Sequence, residues 1–518
     1  MSRRHNKCYL PFLLFLVAAA VYANSLSSGF VWDDNPLVVG KQEFFNHPKN
    51  AVVLLTSPDA ALGARQSPPY YRPLDTLSYM LDHYLWGTNP LWYHLENLML
   101  HGLAAILFYL LLVEVFEDRT LAFIVSILFA VYPVNAETVD FVSARNTLFC
   151  AFFSLASLLL LAKGKKAISL LAYFLALLSK EPAVVLPFFL LSMGLTGVDW
   201  KISREKGKSV LAGFFAVTAA YFMIRHLILG AFIAKHGMEF SFSRLKLISA
   251  VYYEHFRLML FPFRLNALYT VKAVFFSPFR AAAATVGVLL LLYFSLRKKS
   301  PPPVRAGAQW IFWGLLPVSN IVKIPSASVA ERFQYMVVMG FVLVLGYLLR
   351  ELQKKKMLVG VAVSSVLALA LGARTFERNF VWRSDISLYA SMIRSDPSDA
   401  IAYYNLGNVY GQDGDLKDAA IEFRTALAVD PGYVNARLNL GVAYAKEGRL
   451  SDAIRQFMMA ETMAPSMSEP HLYLGTADEK EGLMRQAESE FQTALMLDPG
   501  DVPARRRLER IERQMRGL

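Results

Sequence analysis

AIAYYNLGNVYGQDGDLKDAAIEFRTALAVDP, residues 400–431, decides the fold of the last quarter of this chain. Its closing Asp430-Pro431 is one of a series: Asp-Pro also stands at 396–397 and 498–499, and Ala464-Pro465 completes a strict 34-residue period. The packing residues between these markers recur in register. Leu406-Gly407, Leu440-Gly441 and Leu474-Gly475 fall on a first helix. Ala419/Phe423/Ala426, Ala453/Phe457/Ala460 and Ala487/Phe491/Ala494 fall on a second. Glycine lets two helices approach closely, phenylalanine fills the gap between neighbouring pairs, and proline ends each second helix.

A 34-residue helix-pair period is that of tetratricopeptide (TPR) repeats. Three repeats are expected over 398–499, starting at Ala400, Val434 and Ser468. A connecting half-repeat precedes them at 375–397, and a polar capping helix follows at 500–518. Residues expected on the inner face include Tyr404, Asn408, Asn435, Leu438 and Lys446, with Asn405 and Asn439 one position away. Asparagine there has two readings. It can hold an extended acceptor or partner peptide by paired donor and acceptor groups, or it can bridge neighbouring repeats.

Working outward, the first three quarters are too apolar for a soluble core. The chain is 55% hydrophobic, and runs such as 9–22, 106–115, 121–131, 149–162 and 286–292 indicate membrane-spanning helices. The net charge of +12 is carried by Lys/Arg clusters between these runs, so it reads as loop charge and implies no nucleic-acid partner. Cys8 and Cys150 have no metal-ligand spacing. The first apolar run, with Arg3, Arg4 and Lys7 before it, reads as an uncleaved first span rather than a cleaved signal.

Basic clusters at 3–7, 163–166, 201–208, 297–305 and 350–356 all belong in the cytoplasm by the positive-inside rule, so an even number of crossings separates consecutive clusters. Spans near 9–24, 93–116, 120–134, 139–162, 167–180, 181–197, 209–230, 279–296, 306–321, 333–349 and 357–373 meet this condition. Leu245–Phe263 then lies along the outer interface. About eleven crossings result, with the N-terminus inside and the repeats outside the cytoplasm.

On this topology the polar motifs gather on one side. Asp33-Asp34 follows span 1, Tyr71 and Arg72 lie later in the long first loop (about 25–90), and His94, Asn97 and His101 enter span 2. Glu137 sits in an outer turn, Arg145 two turns into the next span, Lys180-Glu181 in an outer hairpin, and Lys323 and Glu331-Arg332 in the last outer loop. Ionisable groups at membrane depth are costly unless paired or facing a polar cavity, which points to an outward-facing site. Such a set can support group transfer from a lipid phosphate. A carboxylate removes the acceptor's proton, and Arg or Lys offsets charge on the departing phosphate.

YYRPL (70–74), YHLENLMLH (93–101), SKEP (179–182), AERFQY (330–335) and WRSDISLY (382–389), in this order after Asp33-Asp34, resemble the transmembrane-and-TPR O-mannosyltransferases and their bacterial relatives. These are GT-C glycosyltransferases. The resemblance implies an all-α fold, with a GT-C-type membrane domain at 1–374 followed by the TPR solenoid. It implies transfer of a sugar, mannose in this family, from a polyprenyl-phosphate donor to a protein Ser or Thr hydroxyl on the non-cytoplasmic face. Asp33 or Asp34 would be the catalytic base, with Asp34 preferred but no physical feature of the sequence deciding between them. Arg72, Arg145, Lys180 and Arg332 would be phosphate or structural partners, with Glu181 and Glu331 as counter-charges, and Tyr71, His94 and Glu137 lining the site. Where relatives carry a His-Pro-x-His-x-Glu turn, this chain has Tyr132-Pro-Val-Asn135-Ala-Glu137. No cofactor is established by the sequence, and a divalent metal has no ligand spacing to support it. The expected setting is a bacterial inner membrane, or the endoplasmic reticulum in a eukaryote. Two other readings stay open: a GT-C enzyme acting on a lipid or glycan, and a non-catalytic TPR scaffold in the membrane.

Overall fold

The structure, a computed structural model, describes residues 9–57, 70–197, 204–230, 241–269, 277–321 and 328–516. Arg3, Arg4, Lys7, Cys8, Lys201 and Lys323 lie outside them, as do the side chains of Arg204 and Lys206. Among the described residues every regular element is helical, and an isolated antiparallel bridge joins Tyr269 to Val329. The chain divides into two compact units, Met1–Ser384 and Asp385–Leu518.

The second unit is the solenoid. After Asp385–Ser395, Ala400–Asp413 pairs with Leu416–Val429, Val434–Lys446 with Leu450–Met463, and Glu469–Glu481 with Met484–Leu497; Val502–Met515 follows. Asp399, Asp415 and Asp501 cap helices with side-chain oxygens that accept backbone N–H groups. The glycine of each first helix is required by sterics. A Cβ at Gly407 would stand 2.7 Å from the Phe423 ring, one at Gly475 would stand 2.8 Å from Phe491, and Gly441 meets Phe457 in the same way. The phenylalanine thus seats first on the glycine of its own pair. It also reaches the next pair, since Phe457 stacks on Tyr473 at 5.2 Å. Phe457 is 2% exposed. Phe457→Ala should therefore cost the array about 3–5 kcal/mol, read as a lowered thermal transition of the folded protein.

Among the described residues of the first unit, six helices are long and apolar enough to cross a membrane: Pro90–Phe116, Val142–Ala162, Gly207–Leu229, Pro278–Leu296, Glu331–Lys355 and Met357–Arg383. A seventh arises if Arg119–Ala130 and Pro133–Asp140, bent by 50°, form one span. The count of about eleven is not reached by this measure of length and composition. Tyr9–Val21, Lys166–Ser179 and Glu181–Thr196 are apolar but shorter, and the 306–321 span appears as Pro302–Leu315. Proline sets some of these limits: Pro133 and Pro182 fall where apolar runs break into separate helices. Val142–Ala162 is 72% buried and forms the centre, whereas Pro278–Leu296 is 11% buried and presents its apolar surface outward.

The first loop is built of short helices, Asp34–Leu37, Gln42–Phe45, Asn50–Thr56 and Pro73–Trp86. Val38, Phe45, Leu54, Tyr79 and Tyr93 give it a small core of its own, closed by Val142. Pro73 starts the last of these helices and Gly87, at φ 62°, ends it. Three residues later Pro90 opens the next span, with Asn89 accepting the Leu91 N–H at 3.2 Å. Loop and span are therefore rigidly joined where the polar motifs lie.

Candidate active site

The two adjacent acids have different surroundings. Trp32, just before them, holds a left-handed backbone (φ 49°), a strained state for a bulky residue. Asp34 points inward and is fully buried. Its Oδ1 accepts the Ser143 N–H at 2.7 Å and the Ser143 hydroxyl at 2.6 Å, and its Oδ2 accepts the Val31 N–H at 3.2 Å. Those bonds pin the loop to the start of Val142–Ala162. Asp33 caps no backbone N–H and is open to solvent. Its surface stays exposed on one side, while the protein on its other sides raises its carboxyl above the ordinary range and the charge of Arg332 pulls it back. A ring stack reaches from this turn toward Arg332: Trp32 on Phe141 at 6.0 Å and Phe141 on Trp382 at 5.3 Å, with the Arg332 guanidinium 5.9 Å from the Phe141 ring.

Arg332 and Lys180 share a cleft. Both line an apolar cavity of about 570 Å³, counting its open mouth, walled by Phe189, Trp310, Trp313 and Met336. Lys180 donates to the Thr147 hydroxyl at 2.6 Å. Arg332 is held by Glu137, which accepts its N–H at 2.9 Å and pairs with its guanidinium. The sequence places Glu137 in an outer turn; it lies fully buried in the short helix Ala136–Asp140, where Arg332 satisfies its charge. Beside the cleft, Glu181 accepts from Arg72 at 2.7 Å and from Arg225 at 3.1 Å. Arg72 also lies over the Tyr70 ring at 4.2 Å. A second apolar cavity shares Phe189 and Trp310 with the first and continues along Phe108, Leu112 and Leu343.

Other residues singled out from sequence lie away from this cleft. Arg145 is entirely buried. It pairs with Asp82 at 2.5 Å and Glu96 at 2.7 Å, and donates to Asn97 at 2.9 Å and to the Tyr93 carbonyl at 3.1 Å. Every part of its guanidinium is engaged in holding the first-loop helix to two spans. His94 is buried with Nε2 3.2 Å from the Gly29 carbonyl oxygen, and Tyr71 is a core residue whose hydroxyl donates to the Leu55 carbonyl at 3.1 Å. Glu331 pairs inward with Arg378 at 2.9 Å. Sequence reasoning missed Arg225, Arg378 and Asp82. The first two are cations within long apolar helices, and that signal was available. Among the described residues no three His, Cys, Asp or Glu side chains converge as a metal cage.

In the solenoid, Asn439 donates to Asn408 of the preceding pair at 2.7 Å and to Tyr404 at 3.4 Å. Of the two readings of asparagine there, bridging between repeats describes these three residues. Tyr404 also packs on Tyr433, with ring centroids 4.9 Å apart. Asn435 and Lys446 are exposed.

Burial raises two first-loop carboxyls: Asp34 to about 7, against the donors from Ser143 and Val31, and Asp75 to about 6, against Asn146 and Arg145. A carboxyl whose folded value exceeds its unfolded value of about 4 binds more protons in the folded state. Its contribution to stability is then present at low pH and is lost as pH rises through the folded value. Asp34→Asn should remove part of the fall in melting temperature that the wild-type protein shows between about pH 4 and 7, measured by melting curves in detergent.

A tetratricopeptide repeat family model matches residues 386–432 and 404–468. Protein O-mannosyl-transferase F38B6.6 of Caenorhabditis elegans is 28% identical over 447 residues, covering 81% of this chain and 62% of that protein. Protein O-mannosyl-transferase TMTC3 of Mus musculus is 25% identical over 474 residues, covering 80% and 50%. Protein O-mannosyl-transferase TMTC1 of Homo sapiens is 25% identical over 494 residues, covering 80% and 54%. The chain thus spans 50% to 62% of the length of these curated relatives. Its homologues are proteins named as protein O-mannosyl-transferases, and its repeats are of the tetratricopeptide type.

Proposed function

We propose that this chain is a membrane glycosyltransferase of the GT-C kind that moves mannose from a polyprenyl phosphate to a protein Ser or Thr hydroxyl on the non-cytoplasmic face. The observation that carries this reading is the pairing of Lys180 and Arg332 in one apolar cleft. An amine and a guanidinium beside aromatic and aliphatic walls suit a ligand with an anionic head, which would hold both groups charged, and a hydrocarbon tail. A soluble sugar nucleotide has no hydrocarbon tail to lie along the second apolar cavity. The names of the relatives support both the transfer and a protein acceptor.

In the reaction, the acceptor hydroxyl oxygen bonds to the anomeric carbon as the carbon–oxygen bond to phosphate breaks. Polyprenyl phosphate leaves with the bonding electrons. Asp33 takes the hydroxyl proton, for which its open carboxylate is suited. Lys180 and Arg332 offset the charge that builds on the phosphate, more effectively beside apolar walls than in water. Glu137 keeps Arg332 in place, and Glu181 does the same for Arg72. The second apolar cavity offers room for further isoprene units. The solenoid would bind the acceptor or a partner protein through exposed residues such as Asn435 and Lys446.

The test is competition. A sugar-free polyprenyl phosphate should inhibit transfer by the purified chain, and Lys180→Met should weaken that inhibition in a protein that still folds. Inhibition by a nucleotide sugar, with none by the lipid phosphate, would overturn the choice of donor.

A further inference from the structure

We infer that the buried Glu331–Arg378 pair, completed by Tyr269, is the strut that positions Arg332 for the donor phosphate. The inference rests on the reading of the cleft given above.

Glu331 and Arg332 are neighbours in one short turn, Glu331–Phe333, and their side chains go to different places. Arg332 lines the cleft. Glu331 is fully buried and meets Arg378, which is 2% exposed. Glu331 Oε1 accepts Arg378 Nη2 at 2.9 Å and the Tyr269 hydroxyl at 2.9 Å, and Oε2 faces Arg378 Nε at 3.4 Å. One residue on, Glu137 accepts the Arg332 N–H. The dipeptide is therefore clamped from two sides. One clamp acts on the Arg332 backbone and guanidinium, and the other acts on the residue just before it.

The segment leading into the turn is also tied. Val329 bridges Tyr269, and Asn320 donates to the Ser328 carbonyl at 2.6 Å. Tyr269 thus acts twice, through its backbone and through its hydroxyl. Arg378 stands on a helix that is itself fixed. Thr375 donates to the Val131 carbonyl at 2.7 Å, and Asn379 to the Val21 carbonyl at 2.9 Å. The strut runs from an anchored helix end to the residue beside the phosphate-binding cation.

A buried ion pair is weak evidence for stability, because well-packed apolar residues often serve as well. What a pair with three directional bonds adds is a defined position. Misplacement by about 1 Å is enough to impair a site whose work is orientation.

The experiment measures binding of a short-chain, sugar-free polyprenyl phosphate to the purified full chain in detergent, with melting temperature recorded for every variant. Removing both charges together, E331Q/R378M, avoids stranding one of them. This double variant should bind about tenfold more weakly, equivalent to about 1.4 kcal/mol, and Tyr269→Phe should show a smaller loss of the same kind. Arg332→Met should weaken binding too. Adding E331Q/R378M to it should cause little further loss, because the strut acts through Arg332. Should the double variant fail to fold, Tyr269→Phe alone and combined with Arg332→Met carries the same comparison. Wild-type affinity in a folded strut variant would overturn the inference, as would losses that add in full to that of Arg332→Met. No binding by the wild-type chain would instead sink the donor reading, and this inference with it.

Discussion

Asp33→Asn should cut glycosyl transfer by about a hundred- to ten-thousand-fold, the range over which a positioned general base acts, while the protein melts as the wild type does. Asparagine keeps the shape of the side chain and cannot take a proton. Asp33 caps no backbone N–H and is open to solvent, so little structure depends on its charge. Asp34→Asn should behave in the opposite way. Asp34 accepts three hydrogen bonds at full burial, and an amide turned toward the Val31 N–H would set donor against donor. A loss of about 1–3 kcal/mol in stability follows, with activity per folded molecule largely kept. Assay of both variants, normalised to the folded fraction, assigns the two acids; an inactive but fully stable Asp34→Asn would reverse the assignment.

Arg145→Met should destabilise the membrane unit by about 3–5 kcal/mol, the cost of stranding a buried counter-charge. Arg145 has no exposed side-chain surface and Asp82 is 1% exposed, so water cannot replace the lost cation. Tyr79 and Tyr93 also lie 5.0 and 5.6 Å from its guanidinium and lose that partner. The readout is a fall in melting temperature and in the yield of monodisperse protein. Lys180→Met, whose cation lines the cleft, should fold and lose donor affinity instead. A stable Arg145→Met protein with weakened donor binding would return Arg145 to the phosphate site.

These two contrasts mark where the sequence was legible. The solenoid could be read because Gly407, Gly441 and Gly475 each face a phenylalanine sixteen positions on, a local constraint repeated three times. The membrane class was equally open, since apolar runs need no partner to be recognised. The span count was not, because hydropathy does not locate the breaks: Pro133 and the Lys180-Glu181-Pro182 step divide runs into shorter helices. Within the site, a charge at membrane depth marked Lys180, Arg332 and Arg145 alike. Only the fold separates a cation lining a cleft from one enclosed with Asp82, 63 positions away in sequence. Asp33 and Asp34 could not be told apart for the same reason, since the donor that occupies Asp34 is Ser143, 109 positions on. Asn439 shows the limit in the solenoid: its partner Asn408 lies 31 positions back, close to the repeat length, so bridging was foreseeable but not decidable.

The most direct test of the central claim is transfer by the purified full chain to a Ser/Thr-containing acceptor protein, followed by mass spectrometry, with mannose supplied either on a polyprenyl phosphate or on a nucleotide. The account predicts a hexose on the acceptor from the lipid donor only, lost in Asp33→Asn. Transfer from the nucleotide donor, or undiminished transfer by Asp33→Asn, would contradict it.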